Sequence, residues 1–247
     1  MLNVDDRPLE IGKFGMELRD PVSCLSHLFA AVWAVFASAI LLRITIPDPL
    51  RYLTVGIYGA SMVYLYSASA AFHAWPLVPQ DYPETARVLQ VIDRTGIFLL
   101  IAGTNTPIMT ILLRGRVRQL CLGGMWGLSL LGIIFVWVVR VPPYPVLVLI
   151  CLGMGLSGML PLRNYARVLN RTAIAWAILG GVFYAAGAIC ELMLWPTIST
   201  SPFRLSYHEM FHILTVGGST GFFVFVARYV VRIPESLVLS RTRLEQY

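Results

Sequence analysis

The sequence predicts an all-α polytopic membrane protein, a bundle of seven transmembrane helices. Three observations carry this. Of the 247 residues, 57% are hydrophobic and only 13% charged, with a mean hydropathy of +0.71; a soluble domain carries about 25% charge. Apolar stretches of about 18 to 25 residues recur, the length a helix needs to cross a bilayer. Short loops bearing proline and arginine separate them.

Residues 1–21 read as a short mixed-charge leader with no room for a domain. They are polar, and the apolar run that follows is too long for a signal h-region, so no cleavable signal peptide is expected. Spans are placed at 22–42, 52–75, 91–113, 119–139, 144–160, 173–195 and 208–231, and a short charged tail at 232–247. No linker, repeat or low-complexity tract interrupts residues 22–231, which read as one transmembrane domain. Gly180, Gly181, Gly187, Gly217, Gly218, Ser219 and Gly221 fall inside the last two spans. Small residues there suit close helix contact in lipid.

The net charge of +6 comes almost wholly from arginine, Lys13 being the only lysine. Arginine flanking apolar spans is topogenic and binds headgroups. Nucleic-acid binding calls for a clustered basic face, which the pattern lacks, so membrane lipids are the expected partners and nucleic acid is not. The four cysteines, Cys24, Cys121, Cys151 and Cys190, all lie in apolar runs without a Cys-x-x-Cys. They read as buried small hydrophobes, neither a disulfide frame nor a thiolate metal site.

Chemistry concentrates in His208-Glu209-Met210-Phe211-His212. Two histidines four apart share a helix face, and His-Glu-x-x-His on a helix is a zinc pattern. Ionisable groups at membrane depth are costly, which makes them functional candidates. The plain alternative is an interfacial pair that binds nothing. With seven alternating spans, the ends of even spans and the starts of odd ones share a membrane side. His27, Ser69, His73, Asp93, Glu191, His208 and His212 then all lie on the side of the N-terminus, including every histidine of the chain. Three imidazoles from two helices with a nearby carboxylate have the composition of a catalytic zinc centre with an open position.

Each residue has a duller reading. His73 precedes Trp75 and Pro76 and fits an interfacial belt. Asp93 stands beside Arg94, where a local ion pair would account for it. Glu191 is expected to close the end of its span near the headgroups. His27 follows a potential capping residue, Ser26, and is expected to orient or pack rather than to ligate. Ser69 lies four before His73 and either hydrogen-bonds at the site or back-bonds to a helix carbonyl. Glu209 is turned about 100° from His208 and is expected to orient it.

These residues carry a family resemblance. Ser26-His27, Ser69-Ala70-Ala71-Phe72-His73, Asp93-Arg94-Thr95-Gly96-Ile97, Gly103-Thr104-Asn105-Thr106-Pro107, Gly180 to Gly187, and His208 to His212 occur in that order. In this the chain resembles the progestin and adipoQ receptor family, most closely its hemolysin III-like branch. The resemblance implies seven transmembrane helices, a Zn²⁺ held by His73, His208 and His212, and a water between that zinc and Asp93. It also relates the chain to alkaline ceramidases, which cleave a lipid amide with the same set. Arg94 stands where the family often has a smaller or uncharged residue. The leader is shorter than the cytosolic region of the animal hormone receptors, which speaks against a protein hormone as ligand.

The leading expectation is a zinc-dependent hydrolase of lipid amides, with Asp93 as base and Ser69 holding the oxyanion. The alternative is a non-catalytic receptor or regulator of membrane homeostasis, with a small lipophilic ligand and a structural zinc. An intramembrane protease fits less well, because Asp93 lies in Ile-Asp-Arg rather than Asn/Leu-Asp-Gly. A pore is disfavoured, since no span carries a polar stripe to line a channel. Of the nineteen basic residues, twelve fall on the side away from the N-terminus. That favours a cytoplasmic C-terminus, whereas the resemblance implies a cytoplasmic N-terminus.

Overall fold

The computed structural model describes residues 20–75, 83–139, 142–200 and 203–243; most of the expected leader lies outside them. Nine α-helices are seen among the described residues: α1 Pro21–Ile44, α2 Pro49–Ala74, α3 Pro83–Leu112, α4 Gly115–Val138, α5 Tyr144–Ser157, α6 Leu162–Val168, α7 Arg171–Met193, α8 Tyr207–Phe225 and α9 Glu235–Arg243. A π-helical turn, Val226–Val230, continues α8. A small antiparallel hairpin, β1 Ile198–Thr200 and β2 Phe203–Leu205, pairs Ile198 with Leu205 in the loop before α8.

The protein is an integral, multi-pass all-α membrane protein. By length and composition five helices can cross a membrane, namely α1, α3, α4, α7 and α8 with its π-turn; α5 and α6, bent by 45° at the break between them, make a sixth if they form one span. The expected count of seven goes further than this. Its second member became α2, which is 26 residues long but is not apolar enough to qualify. Hydroxyls, Arg51 and His73 dilute its apolar run because α2 faces protein: it packs along α1 on one side and α3 on the other. Tyr58, Met62 and Tyr66 of α2 are wholly buried.

Termini follow local chemistry. Proline at the start of a helix forfeits no hydrogen bond, and α1, α2 and α3 all open with one. Helix α1 therefore begins before Ser26, whose Oγ donates to the Ser23 carbonyl at 3.0 Å instead of capping. Asp48 caps α2 by accepting from the Arg51 amide at 2.8 Å, and Asn170 caps α7 by accepting from Ala173 at 2.8 Å. The expected fifth span, 144–160, ends earlier at Ser157, and Leu162–Val168, expected as loop, is helical. Within the short charged tail, Glu235–Arg243 forms α9, whose Val238 is fully buried.

Helix faces sort as a bilayer demands. Phe29, Val32, Phe36, Leu120, Leu131 and Val138 are exposed apolar residues on α1 and α4, whereas Ala30, Ala31, Ala34 and Ala37 turn inward. Helices α7 and α8 meet through glycines. A Cβ on Gly221 would stand 2.9 Å from Gly180 Cα, and one on Gly218 would strike the Tyr184 ring. Close packing thus explains these positions, except Gly181, where a Cβ would meet nothing within 4 Å and which instead lines a cavity. At the bundle end away from the histidines, buried Arg51 donates to the Ile233 carbonyl at 2.8 Å and the Val231 carbonyl at 3.3 Å. This ties the start of α2 to the end of the last span.

Candidate metal centre

The site starts with a helix cap. Ser206 precedes α8, and the Glu209 carboxylate reaches back to accept from the Ser206 amide at 2.7 Å and from its hydroxyl. This reciprocal capping box satisfies donors that an N-terminus otherwise leaves free. It also corrects the role expected of Glu209. A carboxylate at the third helical position turns back toward the cap, and Glu209 does not orient His208.

Starting α8 there presents His208 and His212 one turn apart on one face. His73 arrives from the last turn of α2. His212 Nε2 lies 3.1 Å from His208 Nε2, and His208 Nε2 lies 3.4 Å from His73 Nε2. One ligand atom from each of the three residues lies within 4.8 Å of the others. His73 and His212 are buried, and His208 is partly so.

The far nitrogen of each ring has its own partner. Asp20 Oδ2 stands 2.7 Å from His73 Nδ1, and Glu191 Oε1 stands 3.0 Å from His208 Nδ1. His27 Nε2 lies 2.8 Å from His212 Nδ1. An acceptor at Nδ1 holds the proton there and leaves the Nε2 lone pair pointing inward. Three such lone pairs facing one another repel unless an electrophile lies among them. Their spacing also suits one: metal–nitrogen bonds of about 2.0–2.1 Å in tetrahedral array separate the nitrogens by about 3.3 Å. The three histidines therefore fit a metal ion. Imidazole donors serve zinc, copper, iron and nickel alike, so the donor set does not choose the metal.

Glu191 corrects a second expectation. It is 5% exposed and holds His208, rather than meeting headgroups at a span end. His27 behaves as expected of an orienting residue and stands outside the three-histidine group. Its ring packs edge-on to Tyr66 at 5.0 Å, and the Tyr66 hydroxyl donates to Ser219 Oγ at 2.5 Å. Asp20 was missed altogether. It falls in what reads as the leader, and only an Asp-Pro pair at the first span hinted at a structured position.

Asp93 of α3 and Ser69 of α2 border the same space. Asp93 lies within electrostatic reach of His73 and His208, with Ser69 beside it. The Ser69 hydroxyl is buried and meets no partner in ordinary hydrogen-bond geometry among the described residues. That removes the back-bonding reading of Ser69. Asp93, Ser69, His208 and His212 line one end of a cavity of about 1260 Å³. Its walls are largely aliphatic, and at the other end it reaches Tyr165, Leu169 and Ile174. Both Ile174 and Glu191 of α7 line it; seventeen residues of helix separate them, about 25 Å. The volume exceeds the roughly 300–1,000 Å³ of ordinary small-molecule sites.

Comparison with known proteins agrees with this architecture. The family model described as haemolysin-III related matches residues 17–223. A hemolysin-3 homolog of Bacillus subtilis (strain 168) is 31% identical over 179 residues, covering 72% of this chain and 78% of that protein. Hemolysin-3 of Bacillus cereus is 33% identical over 180 residues, covering 71% and 74%. The matched region takes in every residue of the centre, and the chain belongs to the haemolysin-III related family.

Proposed function

We propose that this protein is a seven-span, zinc-dependent hydrolase of lipid amides acting in lipid signalling or membrane homeostasis. One observation carries the reading. Three oriented imidazoles, the Asp93 carboxylate and the buried Ser69 hydroxyl beside it meet at the head of an apolar cavity about as long as a lipid chain. His73, His208 and His212 would hold the zinc. When bound, zinc supplies Lewis-acid polarisation of a carbonyl and a source of hydroxide near neutral pH.

The remaining work falls to the chain's own groups. The aliphatic wall takes the acyl chain and excludes water along it. Asp93 accepts a proton from the attacking water, whose oxygen bonds to the carbonyl carbon. Ser69 Oγ, beside Asp93, donates to the carbonyl oxygen as charge develops there. The C–N bond then breaks, its electron pair leaves with nitrogen, and the proton held by Asp93 passes to the amine. A fatty acid and an amine are the products. Asp20, Glu191 and His27 keep the three rings aimed.

A second reading has its own support: the three histidines join the end of α2 to the start of α8, as a structural metal in a receptor would. Metal analysis of purified protein, with a turnover screen across lipid amides on the same preparation, separates the two. Stoichiometric zinc with cleavage is expected. Zinc without cleavage of any lipid amide would leave the structural reading, and no zinc on titration would remove both.

A further inference from the structure

Arg94 follows Asp93 in α3 and is half-buried in the cavity wall. Among the described residues lining that cavity it is the only lysine or arginine. A local ion pair with Asp93 was the duller alternative, and no such pair forms among the described residues. Neighbouring residues diverge by about 100° around a helix, and Arg94 forms no ion pair or hydrogen bond among the described residues. Asp93 and the Tyr144 hydroxyl lie within its electrostatic reach but outside contact.

A guanidinium drawn partly out of water without a contact partner among the described residues is costly. Its planar fork of donors matches a carboxylate, sulfonate or phosphate. Gln90, one turn earlier in α3, borders the same cavity and adds a neutral donor. Arg94 lines the cavity next to Asp93, whose carboxylate interacts with His73 and His208, so an anion held by Arg94 lies at the metal-centre end of the cavity. The aliphatic length of the cavity extends away from this end, and the anion therefore belongs to the headgroup rather than to the tail.

We infer that Arg94 recognises the headgroup: the cavity selects lipid amides bearing a carboxylate, sulfonate or phosphate on the amine side of the amide, an N-acyl amino acid being the simplest. Cleavage of such lipids rests on the hydrolase reading above, while the binding preference rests on the geometry alone.

The test uses full-length, metal-loaded protein in discs of neutral lipid. N-palmitoylglycine and N-palmitoylethanolamine, which share a tail and differ in charge, compete with a fluorescent neutral acyl probe. Wild type should favour the anionic lipid by about tenfold or more, the worth of a charge-assisted hydrogen bond. Arg94→Gln should lose that preference yet bind the neutral lipid as before. Arg94→Lys should keep part of it, having the charge without the fork. Cleavage is followed in the same samples. Charge preference lost in Arg94→Gln, with neither lipid cleaved, upholds the anion site and ends the hydrolase reading. Cleavage with no charge preference, or a preference that survives Arg94→Gln, ends the inference and leaves the hydrolase reading standing. N-acetylglycine or inorganic phosphate displacing the probe as well as N-palmitoylglycine does would mean a free-anion site and overturn the lipid assignment. If phosphatidylglycerol in the disc abolishes the wild-type preference, Arg94 holds a bilayer headgroup, and the inference fails.

Discussion

Glu191 offers the sharpest test of the centre, because its role comes from packing and not from any motif. Its Oε1 accepts from His208 Nδ1 at 3.0 Å, and the side chain is 5% exposed, so water cannot take its place. A hydrogen bond to a charged group is worth about 1.5–3 kcal/mol and a neutral one about 0.5–1.5 kcal/mol. Glu191→Gln keeps an acceptor and loses the charge, a deficit of about 1–1.5 kcal/mol, or roughly tenfold in metal affinity. Glu191→Ala frees the ring entirely and should approach the upper end of the about 10–100-fold loss seen when such partners are removed. The assay is competition for zinc between detergent-purified protein and a chromophoric chelator of known affinity. Glu209→Gln is the control. It weakens a helix cap, costing about 1 kcal/mol of stability, and should leave zinc affinity within a few-fold of wild type. Unchanged affinity in Glu191→Ala, or an equal loss in Glu209→Gln, would refute the assignment of orienting roles.

Other outcomes follow from the same geometry. His208→Ala and His212→Ala should remove most bound zinc, His73→Ala should reduce it, and His27→Ala should keep most, as read by metal analysis; equal loss from His27→Ala and His73→Ala would mean the third ligand is misassigned. Asp93→Asn should retain zinc and lose about 10²-fold or more in turnover of any accepted lipid amide, the usual worth of a positioned base. If Asp93→Asn stays active while Glu209→Gln is dead, the base is Glu209. Gly221→Ala should cost about 1–3 kcal/mol, since its Cβ would meet the Gly180 backbone at 2.9 Å with no flexible side chain to yield. Gly181→Ala, with open space around it, should leave thermal stability in detergent unchanged.

Much of this protein was legible from the chain alone. Hydropathy sets which segments enter lipid, because the bilayer penalises every unsatisfied polar group and leaves helices as the only answer for such runs. Alternation of the expected spans puts polar residues at the ends of even spans and the starts of odd ones on one side, and His27, His73, His208 and His212 all fall there. The i, i+4 spacing put His208 and His212 on one face. Hydropathy speaks least clearly where a helix is covered by protein: α2 is dilute in apolar residues because its neighbours are α1 and α3, and no count along the chain records that. Periodicity and composition also carry no information about which side chain of one element meets which atom of another. Asp20 against His73, Glu191 against His208 and His27 against His212 are contacts between residues 53, 17 and 185 positions apart. Glu209 shows the converse, since its bond to Ser206 is local and displaced the role that motif logic had assigned. The tertiary structure alone decided the orientation of the rings, the placement of Ser69 and Arg94 on the cavity wall, and the cavity itself. Each depends on the distance between helices, which is set by how closely small residues let backbones approach.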